Sequence, residues 1–227
     1  IFNWGDNISY GGESAGHYNI VGNYYKPGPG TKDSKREFIN QIDMDENPEK
    51  VPPGHGTYYI NGNYLFGVEE PMDNDWQYVK LTTGVKKKLA IAKIPYSCTP
   101  IMEQSAQDAY KMVLAYAGAS LSRDQVDLRI AQEIITGIPR YKGSISGRSG
   151  IIDSPKDVGG YPVYKSTVAP EDENNDGIPD NWLAKNYPGE TANEKNNDGY
   201  TLLEVYLNSI VRQITDYQYF NSRLSNE

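Results

Sequence analysis

Two acidic stretches near the C-terminal end carry the clearest chemical signal in this 227-residue chain. The run DENNDGIPD offers oxygen donors at every other residue: Asp172, Asn174, Asp176, the Ile178 carbonyl and Asp180, with Gly177 among them. These are positions 1, 3, 5, 7 and 9 of a calcium loop, with glycine at the tight turn. EKNNDGYTL repeats the pattern 22 residues on, setting Glu194, Asn196, Asp198 and Gly199 against Asp172, Asn174, Asp176 and Gly177. Hard oxygen ligands at alternate positions suit Ca²⁺, because the curl of such a loop turns them inward. The position that usually supplies a bidentate Glu holds Leu183 in the first loop and Val205 in the second, one residue beyond Glu204. The first loop is therefore expected to be the better site, with Glu204 completing one loop or the other from its helix. A structural role for the metal is expected over a catalytic one. The plain alternative is that Asn, Asp and Gly only form turns.

Other chemistry is largely excluded. A single cysteine, Cys98, leaves no disulfide framework within the chain, and His17 and His55 have no partners at metal-ligand spacing, so both are expected in loops. Thirty Asp and Glu against 22 Lys and Arg give a net charge of −8, which argues against nucleic acid and for a solvated extracellular or periplasmic surface. The short run Lys86 to Lys88 is expected to be a solvated patch. No stretch approaches the roughly 18 apolar residues of a membrane span, so a soluble chain is expected. Nineteen tyrosines against 4 phenylalanines, with 22 glycines and 14 prolines, favour β-rich, turn-rich surfaces.

The elements that would position these residues fall into three blocks. In residues 1–100, IFNW, NIVGNYY and YINGNYL place Asn3-Trp4, Asn23-Tyr24 and Asn63-Tyr64 at offsets of 20 and 40, with REFINQI as a middle rung. A repeat of about 20 residues, punctuated by Gly, Pro and Asn, predicts a β-dominated chain with the rungs of a parallel β-helix, in which Asn3, Asn23 and Asn63 stack as a ladder. A β-sandwich with scattered Asn-Tyr pairs is the alternative. The chain opens on Ile1 inside a strand, whose unpaired edge predicts further rungs before it, in a separate chain or in sequence absent here. In residues 101–170, helices are predicted from Ser105 to Gly118 and from Ser122 to Gly137, packed as an antiparallel hairpin, followed by a Gly/Ser/Pro-rich strap. Residues 171–227 hold the two acidic loops and a C-terminal helix.

The ordered series IFNWGDNISYGGESAGHYNIVGNYYKPGPGT, SAQDAYKMVLAYAGASLSRDQVDLRIAQEIITG, SGIIDSPKDVGGYP, DENNDGIPDNW and NNDGYTLLEVYLNSI resembles the C-terminal half of secreted pectate lyases of polysaccharide lyase family 1, of the kind found in Bacteroidota. The resemblance implies a right-handed parallel β-helix and β-elimination on polygalacturonate. In that family calcium bridges enzyme and substrate carboxylates, and an arginine removes the acidified proton. Arginine is a poor base at its ordinary pKa above about 12, so this chemistry needs a metal-acidified proton. The family's calcium-binding aspartates and its Arg-x-Pro-Arg stretch precede the strand that Ile1 to Trp4 resembles. Arg36 lacks the Pro-Arg neighbour and does not inherit the catalytic role. What the resemblance leaves to this chain is substrate contact: Tyr10 against a sugar face, Lys26 against a uronate carboxylate, and Glu13 in the same loops. Its implied partners are an N-terminal β-helix portion and the pectate substrate. Its implied location is secreted, periplasmic or at the outer surface. A calcium-stabilised glycan-binding scaffold, or another carbohydrate-active β-helix enzyme, stays open.

Overall fold

Alternating apolar and polar residues in HYNIV and TYYIN, each followed by a Gly-Asn turn and a short second strand, Tyr24-Tyr25 or Tyr64-Leu65, form the centre of the molecule. A computed structural model describes residues 1–6, 8–9, 16–44, 54–68, 74–101 and 103–224. Its strands are β1 (His17–Val21), β2 (Tyr24–Tyr25), β3 (Asn40–Ile42), β4 (Thr57–Asn61), β5 (Tyr64–Leu65) and β6 (Val79–Leu81). They pair in parallel as β1 with β4, β2 with β5 and β3 with β6. The register sets His17 against Thr57, Tyr24 against Tyr64 and Asn40 against Val79.

The advance from one layer to the next is therefore about 40 residues, with three strands per layer. This corrects the 20-residue repeat. REFINQI is not a middle rung; it supplies β3, a third side of the same layer, which pairs with β6. The ladder is corrected too. Asn63 Oδ1 accepts the backbone N–H of Asn23 at 3.0 Å and its amide at 3.1 Å, so those two asparagines stack. Asn3 does not join them. Phe2 bridges to Lys26, which carries Asn3 past the ladder position. There, at φ 50°, it accepts from Gly30 N–H and donates to the Ser149 carbonyl.

Inward residues of successive layers share one core: Trp4, Tyr25, Ile39, Ile42, Tyr58, Ile60, Leu65, Val79 and Ala90. Tyr18 stacks on Tyr58 with ring centroids 4.8 Å apart, one layer on the next. Burial pushes the Tyr25 and Tyr58 hydroxyls up to about 12, so both stay neutral at any ordinary pH. Ile39 and Ile42 are fully buried, each worth about 2 kcal/mol over an exposed side chain. Deeper in the same stack, Asn63 donates through its amide to the buried Asp75 carboxylate at 2.8 Å, and its backbone N–H donates there at 2.9 Å.

The helices are α1 (Lys87–Ala90), α2 (Ala106–Tyr116), α3 (Gln125–Thr136), α4 (Asp180–Asn186), α5 (Leu202–Ile210) and α6 (Arg212–Leu224). Among the described residues they occupy more of the chain than the strands, which departs from the β-dominated expectation. The Ser105 side chain caps α2; Asp124, rather than Ser122, caps α3; and Gly137 closes α3 at φ 71°. α2 lies against β2 and α6 more than against α3, and Tyr24 stacks on Tyr110 at 4.3 Å. α2 thus covers β2, and its Tyr110 hydroxyl also reaches the Ile134 carbonyl of α3 at 3.5 Å. The strap, residues 138–170, returns to the first layer, where Arg148 pairs with Asp6 at 2.8 Å. A separate small core of Ile178, Ala192 and Leu202, flanked by Trp182, Tyr187, Leu203 and Tyr206, holds the acidic loops against α4 and α5.

Candidate functional site

In the first acidic loop the predicted oxygen donors turn onto one another. Asp172 accepts from Asp176 N–H at 3.1 Å and from Gly177 N–H at 3.0 Å. Asn174 Oδ1 accepts from Asp176 N–H at 3.1 Å, and its amide donates to Asp176 Oδ2 at 3.0 Å. Asp176 Oδ1 takes Ile178 N–H at 2.9 Å. Asp180, the first residue of α4, accepts from Glu173 N–H at 3.1 Å and closes the loop on itself. Gly177 makes the turn possible at φ 89°; a Cβ there would come within 3.2 Å of Leu203. Ile178, buried in the small core, fixes where its own carbonyl stands.

The donor set of this loop, two turn carboxylates with amide and carbonyl oxygens, suits a hard cation such as Ca²⁺ and not Zn²⁺. Among the described residues no three His, Cys, Asp or Glu side chains gather closely enough to hold a metal by themselves. Any cation here would therefore lean on the Asn174 amide and the backbone oxygens as well as on Asp172 and Asp176.

The second loop is assembled differently. Asn196 Oδ1 accepts from Asp198 N–H and Tyr200 N–H, both at 3.0 Å, and its amide stands 3.5 Å from Asp198. Glu194 turns away from this turn to accept Thr191 N–H at 2.7 Å. It also shares a hydrogen bond with Glu190, which raises the Glu190 pKa and lowers that of Glu194. Glu204 does not point into either loop: it closes a capping box at the start of α5, accepting Thr201 N–H and hydroxyl, both at 2.7 Å. Those bonds hold its carboxyl below the usual range. Through Oε2 it thus helps to start α5.

Of the predicted substrate contacts, Tyr10 and Glu13 lie outside the described residues. Lys26 is 7% exposed, which does not fit its predicted place against a uronate carboxylate. Its ammonium donates to the carbonyls of Ile134 at 2.7 Å and Ile135 at 3.0 Å, at the end of α3. The Phe66 and Tyr110 rings flank it at 5.0 and 5.7 Å. A buried lysine satisfied by the negative end of a helix locks that helix to the strands. Arg36 likewise serves the chain itself, donating to the Gly28 carbonyl at 2.7 Å.

His17 stands in β1 and not in a loop, with Nδ1 2.9 Å from the Thr57 hydroxyl and its ring stacked on Tyr96 at 4.5 Å. His55 leads into β4, its Nδ1 2.9 Å from the Gly56 carbonyl. Lys86 to Lys88 are exposed around the start of α1. No spacing in the sequence singles out Arg129 or Arg140, yet folding brings both to one groove beside α3.

No protein-family model matches the chain. Curated proteins do. A probable pectate lyase C of Aspergillus fumigatus is 30% identical over 224 residues, covering 93% of this chain and 47% of its own length. Its namesakes in Aspergillus flavus and Aspergillus terreus are 29% identical over 228 residues and 30% over 222, with the same coverage. The chain spans about half the length of the curated relatives it matches. Over nearly all of its own length, it is therefore similar to pectate lyase-like proteins.

Proposed function

We propose that this chain forms the last coils and the C-terminal extension of a secreted, pectate lyase-like enzyme that cleaves polygalacturonate by calcium-assisted β-elimination. The observation that carries the reading is the similarity over 93% of the chain to proteins named probable pectate lyase C, of which it spans 47%. The parallel pairing of strands about 40 residues apart supports a parallel β-helix as the architecture, right-handed as the resemblance implies. In this reading the catalytic arginine and the catalytic calcium site belong to coils that this chain does not span. Tyr10 and Glu13 are proposed substrate contacts, whereas Lys26 is a structural cation. The test uses a protein that joins this chain to the missing half of its relatives' length, with polygalacturonate and calcium. Unsaturated product, seen by its ultraviolet absorbance, is expected; its absence under those conditions removes the activity.

The DENNDG loop is proposed as a structural calcium site held by Asp172, Asn174, Asp176 and the Ile178 carbonyl, with Asp180 in support. Bound calcium would supply the positive centre that the loop's own N–H groups and the Asn174 amide provide in part. Titrating EDTA-stripped protein with Ca²⁺ is expected to give measurable heat, and about 3 kcal/mol of added stability at a hundredfold excess over Kd. D172N combined with D176N should abolish both. No heat in the unaltered protein rejects the site.

A further inference from the structure

We propose that the groove between α3 and residues 158–163 binds a short chain of uronic acids, separately from any cleft on the strands; the choice of galacturonate rests on the function proposed above. The groove encloses about 720 Å³, within the usual range for small-ligand sites. One wall is the exposed side of α3, with Gln125, Arg129 and Gln132; Arg140 and Tyr141 close one end, and Tyr161 stands on the opposite wall. Among the described residues no Asp or Glu lines it, in a chain whose net charge is −8. The nearest acids on α3 are already committed. Asp124 accepts two N–H groups of its own helix and the Tyr164 hydroxyl, and Asp127 accepts Ala119 N–H at 3.3 Å.

One buried carboxylate sets the positions of both arginines. Glu133, with its side chain only 7% exposed, accepts from Arg129 Nη1 through both oxygens at 3.2 Å, and from the backbone N–H of Arg140 at 3.2 Å. Arg129 also lies over the Tyr141 ring at 5.6 Å. Its guanidinium is thus held still, with the side chain 17% exposed where it lines the groove. The Arg140 guanidinium is exposed and makes no ion pair among the described residues. Two cations and one buried anion leave the groove positive.

Across from them, Tyr161 is 83% exposed, an unusual state for a ring that could pack. Gly159 and Gly160, at φ 90° and 87°, have no atom within 4 Å of where a Cβ would stand, so the lip beside Tyr161 is low. Guanidinium groups pair with carboxylates through two parallel hydrogen bonds, an aromatic ring accepts a sugar face, and glutamine amides serve hydroxyls. A uronic acid oligomer presents carboxylates, ring faces and hydroxyls in regular succession. A neutral sugar leaves the arginines unpaired, and a lone inorganic anion leaves the aromatic wall unused.

Calorimetry on the 227-residue protein decides the matter. The probes are trigalacturonate, a neutral galactotriose, triglucuronate and inorganic phosphate, each run against wild type, R140A and Y161A, with thermal melts checking that both variants fold. Trigalacturonate should bind wild type, weaken about tenfold in each variant, and weaken again with added salt. Equal affinity in wild type and both folded variants overturns the groove, as does galactotriose binding as well as trigalacturonate, or phosphate binding alone. Binding of triglucuronate but not trigalacturonate, lost in the variants, supports the groove and counts against galacturonate as the substrate. Intact groove binding beside an inactive full-length protein counts against the lyase reading only.

Discussion

The layered strands and the C-terminal acidic loops hold themselves together by opposite means. In the layers, strand pairing and stacking join residues about 40 apart: Tyr18 with Tyr58, Asn23 with Asn63, Ile42 with Leu81. In the loops, the bonds from Asp172, Asn174 and Asp176 span two to five residues, over a core of only Ile178, Ala192 and Leu202. The first arrangement costs chain entropy to assemble and repays it cooperatively. The second forms cheaply but has little apolar area behind it. The loops are therefore where a bound cation would matter most.

The sharpest way to break this contrast is a matched pair of truncations. I42A empties a fully buried site and should cost about 3 kcal/mol of global stability, read from the denaturant midpoint. L202A, equally buried, should melt only the segment beyond residue 171, read by hydrogen exchange. One shared midpoint for both would mean a single cooperative unit. K26M comes next. Loss of its bonds to the Ile134 and Ile135 carbonyls should cost about 2 kcal/mol and speed exchange along α3; unchanged stability would return Lys26 to its predicted role as a uronate contact. T201A removes half of a capping box and should lower stability by about 1 kcal/mol, confined to α5. If E204Q instead weakens Ca²⁺ binding with no effect on the α5 cap, Glu204 is a ligand after all.

The smallest effect is acid loosening of the strap. Hydrogen bonds from Lys32 and then Arg148 lower the Asp6 pKa. A depressed folded pKa contributes stability that is complete above the ordinary carboxylate value near 4 and is lost as pH falls through the folded value. Asp6 is well exposed, so solvent screens the pair and the change is slight. Protease nicking within residues 138–170 should rise as pH drops below about 4, and D6N should flatten that dependence.

How much of this was legible in the sequence follows the same division. The acidic loops, the caps at Ser105 and Gly137 and both central helices depend on neighbours a few residues away, and residue type alone located them. The offset of 40 between Asn23 and Asn63 was also visible, but its half-value was an accident of Asn3, whose layer advances by the Phe2-to-Lys26 step instead. Lys26 was misread because its partners lie 108 and 109 residues ahead, and no local pattern announces them. The groove has no local signature for the same reason: its two walls come from α3 and the strap, and neither carries a motif by itself.

The step of about 40 residues has an evolutionary corollary. Copying or deleting one whole layer leaves every surviving side chain above a neighbour of the kind it had before, so chain length can drift by that quantum while the cross-section is inherited unchanged. An insertion of half the quantum enjoys no such protection, since it would seat a third-side strand over a first-side one and set buried isoleucines against outward-facing polar residues.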